Sequence, residues 1–166
     1  MRRQDREITD SAQIAAIIQQ AQVCHLGLVD GDRPYVVPVS FGYSDGCVYI
    51  HSASEGYKLD LLRRNPTVCV EFETDVQLIQ ADKPCAWGLR YRSVIGWGVA
   101  SLVDDPAAKS RALNAIMAHY GGNGDYVYSA AALAETAIIQ VQIAAMTGKQ
   151  AGYPRSVGNE ESQASE

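Results

Sequence analysis

No C-x-x-C pair, no cluster of lysines and arginines, no G-x-G-x-x-G motif and no apolar run near the roughly 18 residues of a membrane span occurs in these 166 residues. Each absence removes a class. Cys24, Cys47, Cys69 and Cys85 stand far apart in apolar or β-like settings, so neither a disulfide framework nor a cysteine metal site is expected. They read as small buried apolar residues in a reducing compartment. His25, His51 and His119 lack ligand spacing with one another or with carboxylates, so no metal site is expected from them either. The formal charge is −5 and the pI about 5.2, with the basic residues scattered. That leaves no electrostatic footprint for nucleic acid or for an acidic membrane surface. Met1-Arg2-Arg3 leads into polar sequence and not into an apolar signal core, and the expectation is a cytoplasmic protein.

Aromatic residues make only 8% of the chain, yet 47% of it is hydrophobic, enough for one domain with a real core. The expected domain spans 1–155, and the polar, acidic stretch 156–166 reads as a disordered tail. Thr9 to Gln20 has helical periodicity, capped by Thr9 or Asp10, with Ile14, Ile17 and Ile18 on one face. Cys24 to Val29 and Tyr35 to Tyr43 read as strands joined by Asp30-Gly31-Asp32-Arg33, with Tyr35, Val37, Val39 and Phe41 sharing a face. Pro38 cannot donate to a ladder, so one side of its strand should lie at an edge, a bulge or a ligand. Ser44-Asp45-Gly46 is the next turn, before a strand from Cys47 to His51.

Thr67 to Phe72 and Ala86 to Val103 read as further strands. In the latter, Gly96 and Gly98 between bulky residues suggest a bend or a close backbone approach. Asp105-Pro106 opens a helix with Leu113, Ile116 and Met117 on its apolar side, ending near His119-Tyr120. A short helical piece at Ala130 to Glu135 and a last strand from Ala137 to Ala145 complete the pattern. Strands at hairpin spacing with only occasional helices point to a mainly β, α+β fold, economically a small closed antiparallel barrel.

The segment Val48 to Val70 carries the chemistry. A strand stops at Ser52-Ala53-Ser54-Glu55, a short helix follows, and Asn65-Pro66 ends it. Ser52, Ser54 and the free N–H groups of the helix start suit a phosphate at the positive end of the helix dipole, and Lys58 lies one turn further in. The same four residues also fit a capping box, which needs no ligand. Both readings stay open on this segment alone.

The order Pro34-Tyr35-Val36-Val37-Pro38-Val39-Ser40-Phe41, then Val48-Tyr49-Ile50-His51-Ser52-Ala53 with Gly56 and Lys58, then Asn65-Pro66-Thr67-Val68, resembles the pyridoxamine 5′-phosphate oxidase-like FMN-binding split-barrel superfamily. The likeness extends to Arg90 through Gly98, His119-Tyr120 and Met146-Thr147-Gly148-Lys149. Within the superfamily it is most similar to the nitroimidazole-resistance (Nim-type) flavoproteins.

The resemblance implies a six-stranded antiparallel Greek-key split β-barrel with flanking helices, and a homodimer with an FMN at each of two sites between the subunits. It places the FMN phosphate on Ser52, Ala53, Ser54 and Lys58, and the flavin ring along Val37, Pro38, Val39, Ser40 and Phe41. It further suggests Arg92 and Ser93 near the phosphate or ring, Trp97 near the flavin or the dimer seam, and His51 as the catalytic candidate facing flavin and substrate. The chain departs from the vitamin B6 oxidases in lacking their C-terminal arginine-histidine motif; Tyr153-Pro154-Arg155 stands there instead.

The function implied is an FMN-dependent oxidoreductase reducing a small nitroaromatic or related acceptor, with any NAD(P)H visiting only the open flavin site. Two alternatives accompany it. One is haem or a deazaflavin on the same barrel, with a histidine as axial ligand. The other is a flavin-binding sensor or store without turnover.

Overall fold

The computed structural model describes residues 4–154, so the expected tail at 156–166 lies outside the described residues. Helix α1 covers Ser11–Gln20 and is capped by Asp10, whose carboxylate accepts from the Ala12 N–H at 3.1 Å. Ile14, Ile17 and Ile18 are buried, as their spacing requires, each stabilising the fold by about 1.5–3 kcal/mol. Helix α2 runs Tyr57–Arg64, α3 Pro106–His119 and α4 Ala130–Glu135. Asp105 caps α3 by accepting from the Ala108 N–H at 2.7 Å, with Pro106 in the first turn. On α3 the buried residues are Ala112 and Ile116; Met117, expected on the apolar side, is exposed because the helix covers the sheet along a narrower stripe.

Eight strands form one antiparallel sheet: β1 Glu7–Ile8, β2 Cys24–Asp30, β3 Arg33–Val39, β4 Gly42–Ser44, β5 Cys47–Ala53, β6 Thr67–Ile79, β7 Gly88–Val103 and β8 Thr136–Ala151. Six were expected. The excess consists of two short pieces. β1 is a two-residue strand on β8, and the expected strand 35–43 is broken after Val39. At the break the Phe41 N–H leaves the ladder and donates to the Tyr120 hydroxyl at 3.1 Å. That hydroxyl in turn donates to the Gln22 carbonyl at 2.9 Å.

The pairing order is β3-β2-β6-β7-β8-β5-β4, with β1 added on β8. The ladder ends at β3 and β4, so the barrel is split, as the resemblance implies, and not closed as the strand pattern alone suggests. β3 is therefore an edge strand, as Pro38 demands. Its seven pairs to β2 run without a bulge from Arg33 to Val39.

The core lies inside the curved sheet, where Phe41 and Phe72 meet with ring centroids 4.9 Å apart among Leu26, Val70, Val94 and Ile139. Tyr35, Val37 and Val39 pack against this cluster from β3. In β7 the register slips between Trp97 and Gly98, and a Cβ on Gly98 would lie 2.3 Å from the Gln142 carbonyl oxygen. Glycine there is a requirement of close backbone approach. Of the cysteines, Cys24 and Cys47 are buried as expected, but Cys69 is half-buried and Cys85 exposed on the β6–β7 connection.

Candidate functional site

β5 ends at Ala53, and the chain reaches α2 through Ser54, Glu55 and Gly56. The capping-box reading fails here. The residue capping α2 is Gly56, at φ 137° and ψ 162°, a conformation only glycine holds cheaply, and no side chain caps the helix. Its carbonyl accepts from the Leu59 N–H at 2.9 Å, while the first-turn N–H groups have no side-chain oxygen to serve them. Lys58 sits in this turn, half-buried, with no hydrogen bond or ion pair to any described residue. Burial without a compensating carboxylate holds its ammonium below the usual lysine range. An uncapped turn and an unpaired, partly desolvated cation together make a place for an anion.

α2 is anchored firmly. Leu59, Leu61 and Leu62 are buried under it. Tyr57 donates to the Asp30 carboxylate, which also pairs with Arg64 at 3.2 Å and Arg33 at 3.7 Å. The Tyr57 hydrogen bond, with the two guanidiniums adding to it, holds the Asp30 carboxyl below its ordinary range. Tyr35 of β3 meets the Tyr57 ring edge-on with centroids 5.2 Å apart. The α2 start and the β3 strand thus meet at Tyr57 and Tyr35.

The remaining site residues divide by face. Ser52 follows Val48 and Ile50 on the inward side of β5 and is half-buried, while His51 lies opposite, exposed, paired across the ladder with Ile138. Ala53 and Ser54 are exposed at the strand end. On β3, Pro38 is exposed; Ser40 is exposed and Phe41 buried in the break that follows.

β7 separates its candidates in the same way. Arg92 lines a cleft of about 490 Å³ with Gln13, Ile17, Gln20 and Gln150. Its guanidinium pairs with Asp75 and stacks on the Tyr153 ring at 4.0 Å. Ser93 and Trp97 take the other face, where Trp97 is 46% exposed. His119 donates from Nε2 to the Ala21 carbonyl at 2.8 Å and packs on Phe41. It is a tie between α3 and the end of α1.

One constellation escaped the sequence spacing. The β2–β6 register sets His25 opposite Glu71, and Glu73 follows on the same face. His25 Nδ1 lies 3.2 Å from Glu71 and 3.4 Å from Glu73. Burial first, then the hydrogen bond and charge of Glu73, push the Glu71 carboxyl up to about 8. Alternation along β6 was the available signal, since it puts Glu71 and Glu73 on one face, but only the register supplies the histidine.

No helix among the described residues is long and apolar enough to cross a membrane. No curated protein matches the chain. Among solved structures, a candidate 5-nitroimidazole antibiotic resistance protein from Bacteroides thetaiotaomicron is 35% identical, with 87% of this chain and 86% of that one covered and a TM-score of 0.78. Two more distant structures share the fold: a flavocytochrome from Azotobacter vinelandii and an FAD and haem binding protein from Mycobacterium smegmatis. The first is 23% identical over 96% of this chain and 76% of its own, the second 18% over 92% and 77%, each with a TM-score of 0.80. The family model described as pyridoxamine 5′-phosphate oxidase matches residues 10–150, from the cap of α1 to the end of β8, and the chain belongs to that family.

Proposed function

We propose that this protein is an FMN-binding oxidoreductase that passes electrons to a small nitroaromatic of the 5-nitroimidazole kind or a related acceptor. The observation that carries the cofactor is the uncapped first turn of α2 with unpaired, half-buried Lys58 beside it. A terminal phosphate would take the first-turn N–H groups and the ammonium, with the Ser52 and Ser54 hydroxyls close in sequence to join them. Among the described α-helices only α2 starts without a side-chain cap, a single place for one terminal phosphate, which favours FMN over FAD.

Bound flavin would supply the redox chemistry. The protein's own contribution is placement. The free edge of β3 offers backbone carbonyls and the apolar Pro38, and His51 is exposed with no hydrogen bond to another described residue, free to donate a ring N–H to an anionic or nitro group. A nicotinamide reductant would meet the same open site, since no dinucleotide fingerprint is present. The likeness to the nitroimidazole-resistance relative supports the acceptor class.

Assembly as a homodimer is part of the reading. Register places Val36, Cys69 and Trp97 in one row across the outer sheet face, with Ile95 and Val99 beside Trp97. Val36 is 60% and Val99 55% exposed, an apolar surface suited to a twofold partner.

Denaturing the purified protein should release FMN, identified by mass and absorbance, and the flavin reduced by a nicotinamide should be reoxidised rapidly by a 5-nitroimidazole. Recovery of haem, or apoprotein that takes up no FMN at micromolar concentration, overturns the cofactor. Bound FMN without turnover reduces the protein to a flavin store. If a haem were bound, His51 would offer a ring without a hydrogen bond to a described residue, while His25, engaged through Nδ1 by Glu71 and Glu73, and His119, engaged through Nε2 by the Ala21 carbonyl, would each have only the other ring nitrogen to offer.

A further inference from the structure

We infer that His25, Glu71 and Glu73 form a binding site for a divalent transition-metal ion of the zinc type on the outer face of the sheet. The three potential ligand atoms all lie within 4.8 Å of one another. His25 Nδ1 stands 3.2 Å from the Glu71 oxygen and 3.4 Å from that of Glu73. Ligand bonds of about 2.0 Å in a tetrahedral shell put neighbouring ligand atoms about 3.3 Å apart, so the pairs that include the histidine already have the spacing of a bound ion.

Their support is rigid. Two of the three side chains come from positions directly opposed in the β2–β6 ladder, and the third is the next same-face residue of β6, so little ordering is left for an ion to impose.

The chemistry of the set chooses the class of ion. One imidazole nitrogen with two carboxylates suits zinc and its first-row neighbours, whereas magnesium and calcium prefer all-oxygen shells. Without a cation the Glu71 and Glu73 carboxyl groups lie within 4.8 Å of each other. A divalent ion would neutralise both. The side chains are about a third exposed, leaving an entry path and at least one coordination position for water or another ligand. The site is distinct from the α2 cradle, which Lys58 opens, but it shares the outer face with Pro38, opposite His25, and Ile95, opposite Glu71, so the ion would lie beside the proposed flavin edge and dimer seam.

The test is titration of chelator-treated full-length protein carrying Cys85→Ser, which removes the exposed thiol. Zinc should bind at one ion per chain at micromolar concentration or tighter, and magnesium should not compete. His25→Gln and Glu73→Gln should each weaken zinc at least tenfold with unchanged circular dichroism. Cobalt should give the weak visible bands of nitrogen and oxygen ligands in the parent protein, a readout that stands even if a variant fails to fold. Absence of stoichiometric zinc below 100 µM, unchanged affinity in both folded variants, or an intense thiolate-to-cobalt band would each overturn the site.

Discussion

The first turn of α2 and the outer face of β2 and β6 are opposite solutions to placing charge at the margin of one core. At α2 a lone cation is partly buried without a carboxylate, and the adjacent backbone is left uncapped. On the β2–β6 face two carboxylates crowd one imidazole. The first is short of negative charge and the second has an excess of it. The first comes from residues contiguous in sequence; the second joins positions 46 apart through strand register. Incomplete electrostatic satisfaction, and not pocket size, is what singles out both places.

Lys58→Ala should affect the contrast most, weakening FMN by about 1.5–3 kcal/mol, the range for a charge-assisted hydrogen bond, while leaving riboflavin binding almost unchanged. Equal losses for both ligands in parallel fluorescence titrations would remove Lys58 from the phosphate. For His51→Ala, FMN should stay bound and stopped-flow reoxidation by a nitroimidazole should slow by about 10²-fold, with reduction by the nicotinamide changing less. Identical acceptor kinetics would return His51 to a structural role.

Gly56→Ala asks whether the cradle is held by backbone geometry. No atom lies within 4 Å of the added methyl, so any cost is conformational, about 1–3 kcal/mol in a denaturant melt. A neutral result would mean that the turn relaxes freely. On the other face, Trp97→Glu should weaken self-association at least tenfold by sedimentation, since a charge enters the core of the proposed seam. An unaltered dimer would move the seam elsewhere.

The smallest effect concerns the anchor between α2 and the β2–β3 turn. Asp30 has its carboxyl lowered by Tyr57, Arg64 and Arg33, so its contribution is complete above the unfolded value near 3.8 and is lost as pH falls through the lower folded value. Asp30→Asn should therefore flatten the acid limb of a pH–stability curve below about pH 4 and leave the neutral region's slope as it was. A parallel acid limb in the variant would show that the anchor is not charged in origin.

The contrast also explains what was legible beforehand. Residues acting through near neighbours announced themselves: Asp10 and three isoleucines for α1, Asp105-Pro106 for α3, Pro38 for an edge and Gly98 for a close crossing. Ser52 to Glu55 misled because four residues matching a cap were followed by Gly56, whose positive φ starts the helix later and frees those side chains. The split of the barrel came from the family resemblance and not from the strand pattern, because strand number does not determine whether the last strands pair. The Phe41 N–H goes to Tyr120, 79 residues away, a choice no local pattern records. The His25 cluster was dismissed on spacing along the chain, which says nothing about spacing across a ladder.

The unbroken pairing of β3 to β2 has a consequence for behaviour at high concentration. Pro34 and Pro38 share the parity whose missing N–H must face away from β2, so over this span of the free edge only Val36 can donate, while the carbonyls of all three residues point outward. An incoming strand needs donors and acceptors in alternation to extend a sheet, and here it meets acceptors almost alone. The open rim of the barrel is thereby poorly suited to recruiting another polypeptide, yet its carbonyls remain free for a small molecule that brings its own N–H groups. Replacing either proline with valine would restore a donor and, with it, the hazard of edge-to-edge fibre growth.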